Sequence, residues 1–395
     1  MSKVYAVFCW SIVFMSQIVA ASETLKVATF NVSMEATNYV ARESDIKGNE
    51  LFERLATSEN PHIKNIAAII QRINPDIILL NEFDYTPDEN KGVKAFVKHY
   101  LNKDQPGSKG IDYPYYYIAP VNTGVDSGVD LNRDGVASGK GDDAFGYGVY
   151  PGQYGMVLLS KFPIDKSKIR TFQLFKWRDM PNNMLTTIQD KQGKSWYSAD
   201  AQDVLRLSSK SHWDVPVNVN GKTVHILASH PTPPVFDGPE DRNGKRNHDE
   251  VRFWVDYLNA GQNAAYIYDD QGQHGGFSGK RFVVLGDLNS SQDEGDSYKD
   301  AIGGLINHTT IISEPAPMSE GGKRHSPDNP FAATHTAGWR MRADYVLPSE
   351  YGFSIKQSGI FWPTEQQADY VLIKNRESSS DHRLVWAELV LTDND

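Results

Sequence analysis

The chain has 395 residues, 39% of them apolar and 23% charged, with a formal net charge of −10 and one cysteine. That much apolar sequence can bury a sizeable core and excludes a disordered chain, while a single cysteine excludes a disulfide-stapled scaffold. The acid excess argues against a broad basic face for tight, sequence-independent nucleic-acid binding, although an acidic protein can still present phosphate to a local metal site.

The N-terminus holds a nearly uninterrupted apolar run, Val4 to Ala20, after Lys3 and before the small residues Ala20, Ala21 and Ser22. This reads as a secretory signal peptide over residues 1–21, with residues 22–395 as one catalytic domain. A membrane anchor is the competing reading, disfavoured because the run is short, contains Ser11, Ser16 and Gln17 and has no stop-transfer flank. Cleavage removes Cys9 together with Lys3, leaving a net charge of −11 and no thiol. The expectation is a secreted or periplasmic protein, held by its core or by bound metal and without stable membrane insertion after cleavage.

In chain order, Leu25–Val32 reads as a strand, and Ile63, Ile66, Ala67, Ile70 and Ile73 recur at helical spacing behind Pro61. A second strand, IILLNEFD, starts at Ile77. Further strands are expected at Met156–Leu159, Val215–Val219, Val224–Ser229, Phe282–Leu285, Asp344–Leu347 and Leu384–Leu391, with helices at Asp249–Leu258 and Tyr298–Ile306. The stretches Asn102–Gly152 and Pro231–Asn247 look too polar and Gly-rich for core and read as functional loops.

Polar clusters recur where these strands end. Asn31, then Asn81 with Glu82, then His230, then Asp287 with Asn289 each follow an apolar run, while Asp344 opens a strand and Asp381 with His382 precedes another. One such end is an ordinary solvated turn. Six in one chain suggest convergence, and carboxylates brought that close repel one another unless a divalent cation lies between them. Oxygen-rich donors without cysteine favour Mg²⁺, Mn²⁺ or Ca²⁺ over Zn²⁺.

The motifs ATFNV, LLNEFD, ASHPTPP, LGDLNS, RADYVL and SSDHRLV, in that order, resemble the endonuclease/exonuclease/phosphatase superfamily of metal-dependent phosphoesterases. The resemblance implies an α/β (α+β) fold, a four-layer αββα sandwich of two mixed sheets with helices outside and the site at one end. It implies Glu82 as main metal ligand, with Asn31 and Asp381 beside it, and Mg²⁺ or Mn²⁺ as the catalytic ion. Asp287 would orient or deprotonate the attacking water and Asn289 would hold that water or a phosphate oxygen. His230, and His382 oriented by Asp344, would contact nonbridging phosphate oxygens. Whether Asp287 or His382 is the base stays open. The expected activity is an exported phosphodiesterase or nuclease acting as a monomer on a phosphoester, with DNA or RNA as transient partners. A small-molecule or lipid phosphodiesterase or phosphatase is the alternative, and a catalytically silent, calcium-dependent binding module a third reading.

Three weaker groups complete the candidates. Arg206, Lys210 and His212 in LRLSSKSHWD, and Arg246 and His248 in the stretch after His230, are candidate substrate-phosphate contacts. Asp130, Asn132, Asp134 and Gly135 follow the order of a calcium loop, but its twelfth position is Gly141 where a bidentate Glu belongs, and a solvated acidic turn competes. Finally, Asp293, Glu294 and Asp296 read as a turn leading into the first turn of the next helix.

Overall fold

In the computed structural model, which describes residues 23–392, the apolar runs become strands. They are β1 (Thr24–Met34), β2 (Ile77–Phe83), β3 (Tyr115–Tyr117), β4 (Met156–Ser160), β5 (Arg170–Thr171), β6 (His212–Val219), β7 (Lys222–Ser229), β8 (Arg281–Asp287), β9 (Asp344–Pro348), β10 (Phe353–Ile360) and β11 (Val385–Leu391). The expected signal peptide lies outside the described residues.

The strands form two mixed sheets, ordered β10-β11-β1-β2-β4-β3 and β5-β6-β7-β8-β9. Within them β1–β2 and β7–β8 are parallel and the other pairs antiparallel. Alternation along β8 shows how the layers stack. Val283 and Leu285 join the core shared with β1 and β2, whereas Phe282 and Val284 point the other way, into a core with Phe253, Trp254 and Tyr257 of the helix Arg242–Asn259. On the opposite flank the helix Pro61–Ile73 buries Ile63, Ile66, Ala67 and Ile70 in the first core. Its start is set by the Asn60 side chain, which accepts from Ile63 N, and by Pro61. The expected four-layer sandwich is present.

The strands that the sequence did not reveal are β3, β5 and β10, and each is an edge strand. An edge strand is half solvated and needs no apolar run; β10 buries only Phe353, Gly359 and Ile360. Two loop expectations also change. Residues 102–152 contribute buried Tyr113, Val121 and Phe145, and Tyr113 donates to Pro75 O (2.8 Å). The stretch after His230 becomes helical at Arg242, seven residues before the expected start. The following helix begins only at Lys299, so Asp293, Glu294 and Asp296 precede it, and Glu294 instead binds Asn329 and His335.

Candidate active site

Strand direction brings the polar ends together. Because β1 and β2 run parallel with Asn31 opposite Asn81, Asn31 and Glu82 reach the same edge. β11 is antiparallel to β1, so Asp381 and His382, just before it, lie at that edge too. In the other sheet β7 and β8 run parallel towards His230 and Asp287, and antiparallel β9 sets Asp344 directly opposite Asp287.

The backbone is strained at these ends. Ser33, Glu82 and Asn289 have φ of 49°, 56° and 50°, values that cost a non-glycine residue about 1–2 kcal/mol each. Gly286 has φ 152°, and a Cβ there would sit 2.0 Å from Ser229 O, so only glycine lets β8 approach β7 closely enough to place Asp287.

Asp287 is the centre of the network. Its Oδ2 accepts from Asn31 Nδ2 across the two sheets (3.0 Å) and lies 3.4 Å from His230 Nε2 and 3.5 Å from His382 Nε2. Its Oδ1 accepts from Asn289 N (2.9 Å), while its backbone N–H donates to Asn81 Oδ1 (3.1 Å). Asn289 in turn donates through Nδ2 to Pro231 O (3.1 Å). His382 Nδ1 pairs with Asp344 Oδ2 (2.9 Å), which also accepts from Thr336 Oγ1 (2.7 Å).

Charge follows from this geometry. Burial opposes ionisation of Asp287, but His382, His230 and the Asn31 amide outweigh it and hold the carboxyl well below its usual range. Burial likewise opposes the His382 cation, yet Asp344 and Asp287 raise its pKa well above that of a free imidazole. Burial, with Asp287 nearby, raises the Asp344 carboxyl against the pull of His382. His230 goes the other way: burial and then Lys210 lower it to about 4, so it is neutral at pH 7.

A second group of acids flanks this network. Burial, then Glu35, then Asp381 push Glu82 up to about 7, against the Asn31 amide. Glu35 is fully buried and accepts from Thr37 N, Asn38 Nδ2 and Gln153 Nε2. Asp381 accepts from Ser33 Oγ (3.4 Å). A Glu82 carboxyl raised by burial and by the acids beside it fits a divalent cation, which would pair with charge that the fold otherwise penalises. Asp287, Asp344 and His382 also offer atoms within 4.8 Å of one another, a group that could hold a metal on distance alone. That set suits an ion less well, because His382 Nδ1 is bonded to Asp344 and the ring is cationic.

Among Arg206, Lys210, His212, Arg246 and His248, only Lys210 comes to this edge. It is buried, has no side-chain hydrogen bond among the described residues, and feels Glu250, Glu82 and Asp287; burial lowers its pKa. His212 is instead a core strut, wedged against Phe253 and Trp254 with Nε2 at Glu250 O (2.9 Å) and Nδ1 at Ser208 Oγ (3.2 Å). Arg206 binds Asn122 Oδ1 and lies over the Phe145 ring. Arg246 is spent on the carbonyls of Leu207, Phe145 and Arg206, and His248 sits between Asp249 and Asp300. In each of the four the contacts run to the protein's own loops or helix rather than to the Asp287 network.

The calcium reading of Asp130, Asn132 and Asp134 finds no support either. Their oxygens turn to the loop's own N–H groups, from Arg133, Asp134, Gly135 and Val136, and Asp143 caps Leu131, Asn132 and Ser138. Sequence reasoning missed Glu35, three residues past the ATFNV strand, because nothing in a lone Glu signals that the chain folds it back onto Glu82. A separate cavity of about 490 Å³, with Arg72, Lys109 and Lys161 in its walls, opens near the start of β2, away from these residues.

The model of the endonuclease/exonuclease/phosphatase family matches residues 28–382. No curated protein matches the sequence. Among solved structures, an endonuclease/exonuclease/phosphatase from Beutenbergia cavernae DSM 12333 is 17% identical, with 93% of this chain and 72% of that chain covered and a TM-score of 0.50. The human Nocturnin catalytic domain with bound sulfate is 11% identical (93% and 95% covered, TM-score 0.46). A Staphylococcus aureus beta toxin mutant with bound magnesium ions is 15% identical (92% and 99% covered, TM-score 0.43). At such identities the likeness concerns the fold alone.

Proposed function

Since the chain belongs to the endonuclease/exonuclease/phosphatase family of metal-dependent phosphoester hydrolases, we propose that it is an exported phosphodiesterase in which Asp287 takes a proton from the attacking water. The observation that carries this reading is the Asp287 carboxylate, held ionised between two histidines and bonded across the sheets to Asn31. A carboxylate so placed can accept a water proton, while Asn289, two residues on, faces the same water or a phosphate oxygen.

Glu82, with Asn31 and Asp381 beside it, would hold a Mg²⁺ or Mn²⁺ ion, which supplies Lewis-acid polarisation of the phosphoryl oxygens. The chain's own groups do the rest. Lys210 and the His382 cation neutralise the nonbridging oxygens, an effect strengthened by their burial. As water oxygen bonds to phosphorus, its proton passes to Asp287 and the ester P–O bond breaks. The leaving oxygen takes the Nε2 proton of His382, which Asp287, 3.5 Å away, then replaces. The raised pKa of His382, which favours its cation, supports Asp287 rather than His382 as base.

The test uses the mature chain on plasmid DNA, bis(p-nitrophenyl) phosphate, p-nitrophenyl phosphate and a phosphocholine lipid, with Mg²⁺, Mn²⁺, Ca²⁺ or chelator. Metal-dependent turnover of diesters that falls about 10²–10⁴-fold in His382→Ala is expected. Turnover of no substrate, or turnover indifferent to chelator and to His382→Ala, would sink the reading. Lys210→Ala should lower kcat/KM about 10- to 100-fold by removing one charge-assisted phosphate contact. Export is tested by fractionating cells that express the whole chain; full-length protein confined to the cytosol would refute it.

A further inference from the structure

The helix Arg242–Asn259 turns two polar side chains, Asn247 and Glu250, towards the site. Three residues apart, they project from the same side of the helix. Both are buried, at 1% and 0% exposure. Glu250 Oε1 accepts from Ser209 N and Oε2 from Thr232 N, each at 2.6 Å. Asn247 Nδ2 donates to Thr232 O (2.9 Å) and Leu288 O (3.0 Å), with Asn289 O 3.5 Å away. One helical turn therefore ties together the three segments that carry Lys210, His230 and the pair Asp287 and Asn289.

Stability by itself does not call for a charge in this place, because a buried carboxylate is often no better than an apolar side chain of similar volume. The two N–H groups explain the pair of oxygens, since a glutamine would turn its own amide N–H towards one of them. The charge answers to Lys210. Glu250 comes first among the acids that favour the buried Lys210 ammonium, ahead of Glu82 and Asp287. The backbone around Lys210 is fixed as well. Ser208 O accepts from Asn122 Nδ2 (2.8 Å) and Lys210 O from Asn122 N (2.9 Å), so the segment is held between Asn122 and Glu250. Asp249, between Asn247 and Glu250 in sequence, instead accepts from Trp177 Nε1 (2.6 Å) and Met184 N (2.7 Å).

We propose that Glu250 and Asn247 are positioning residues for phosphoester hydrolysis: Glu250 holds the Lys210 ammonium in place for the phosphate and anchors the turn after His230, and Asn247 fixes the segment that presents Asn289. The proposal rests on the phosphodiesterase reading above. Neither side chain touches the substrate, and each acts through a residue that does. A neighbouring carboxylate lets Lys210 stay charged in a buried site, so that it meets the phosphate as a cation. The fixed backbone matters because a misplacement of about 1 Å at a reacting group can cost about 100-fold in rate. Asn247 serves Asn289 in the same way, since the left-handed backbone of that residue (φ 50°) persists only with support from its surroundings.

The experiment is a pair of double-mutant cycles on bis(p-nitrophenyl) phosphate with saturating Mn²⁺, read as kcat/KM of the folded fraction. Glu250→Gln, which keeps the shape of the side chain, should lower kcat/KM about 10-fold. In the Lys210→Ala background the same substitution should cost less than about threefold, because its effect passes through Lys210. Asn247→Ala should lower kcat/KM about 10-fold, and most of that loss should vanish in the Asn289→Ala background. Asp249→Asn is the structural control, expected to lower the melting temperature and to leave kcat/KM of the folded fraction in place. Equal losses from Glu250→Gln with and without Lys210 overturn the proposal, as does wild-type kcat/KM in folded Glu250→Gln. Should Glu250→Gln not fold, the cycle of Asn247 and Asn289 decides alone, and additive losses there overturn the proposal. Absence of turnover of any phosphoester by the wild-type protein overturns the phosphodiesterase reading as well.

Discussion

His382 and His230 are the same residue type, both buried at one sheet edge and both within 3.5 Å of Asp287, yet they carry different charges. The difference lies in their other neighbours: Asp344 at 2.9 Å supports the His382 cation, whereas Lys210 opposes one on His230. The cation is the reactive form, so activity is present below the His382 pKa and lost as pH rises through it. Asp344→Asn removes the carboxylate that raises this pKa, so the alkaline limb of the kcat profile should move to lower pH, with kcat reduced about 10²-fold or more. A limb that stays in place would show that another group titrates there. That Asn31, Glu82, His230 and Asp287 share one sheet edge was foreshadowed in the sequence because each follows an apolar run, whereas Asp344, Asp381 and His382 stand before a strand and were picked out only by the order of the motifs. The expectation that His212, Arg206, Arg246 and His248 reach the substrate differs from their placement, because composition does not show which neighbours a donor meets in the fold.

At the scale of elements, placement depends on how strands approach one another. Gly286 in the GDLN motif allows β8 to pass Ser229 O where any Cβ would collide. Gly286→Ala should destabilise the protein by about 2 kcal/mol or more and also lower kcat, because Asp287 is carried on the shifted strand. Denaturant unfolding and kinetics on the folded fraction separate the two effects; wild-type values for both would refute the close-approach argument. His212 illustrates the contrary case. Its truncation in His212→Ala leaves a cavity beside Phe253 and Trp254 and strips a partner from Glu250 O, so a loss of about 2–4 kcal/mol is expected, with kcat of the folded fraction retained. Central strands were readable from their continuous apolar runs. The edge strands β3, β5 and β10 were not: β3 and β5 are only three and two residues long, and β10 exposes Ser354, Lys356 and Gln357.

The whole molecule joins two sheets whose facing ends concentrate negative charge. A Glu82 pKa raised from 4.5 to about 7 means that ionising this group opposes folding, so the metal-free protein should lose stability as pH rises through that interval and level off above it. Mg²⁺ or Mn²⁺ should reverse the loss. At an ion concentration about 100-fold above its dissociation constant the gain is about 2.7 kcal/mol, and it should be larger at pH 8 than at pH 5, where protons compete for the same carboxylates. Melting curves with ion and with chelator, for wild type and for Glu82→Gln, check this; equal shifts at both pH values would place the metal elsewhere. The apolar runs, their polar ends and the order of the motifs were determined by sequence alone, because hydrophobic periodicity and backbone preference are local properties. Only the tertiary structure decided that Glu35 joins Glu82 and that Lys210 lies with Glu82 and Asp287 while His212 packs against Phe253 and Trp254. Charge states and unused donors depend on distance and burial between residues far apart in the chain, and these exist only once the two sheets have closed on each other.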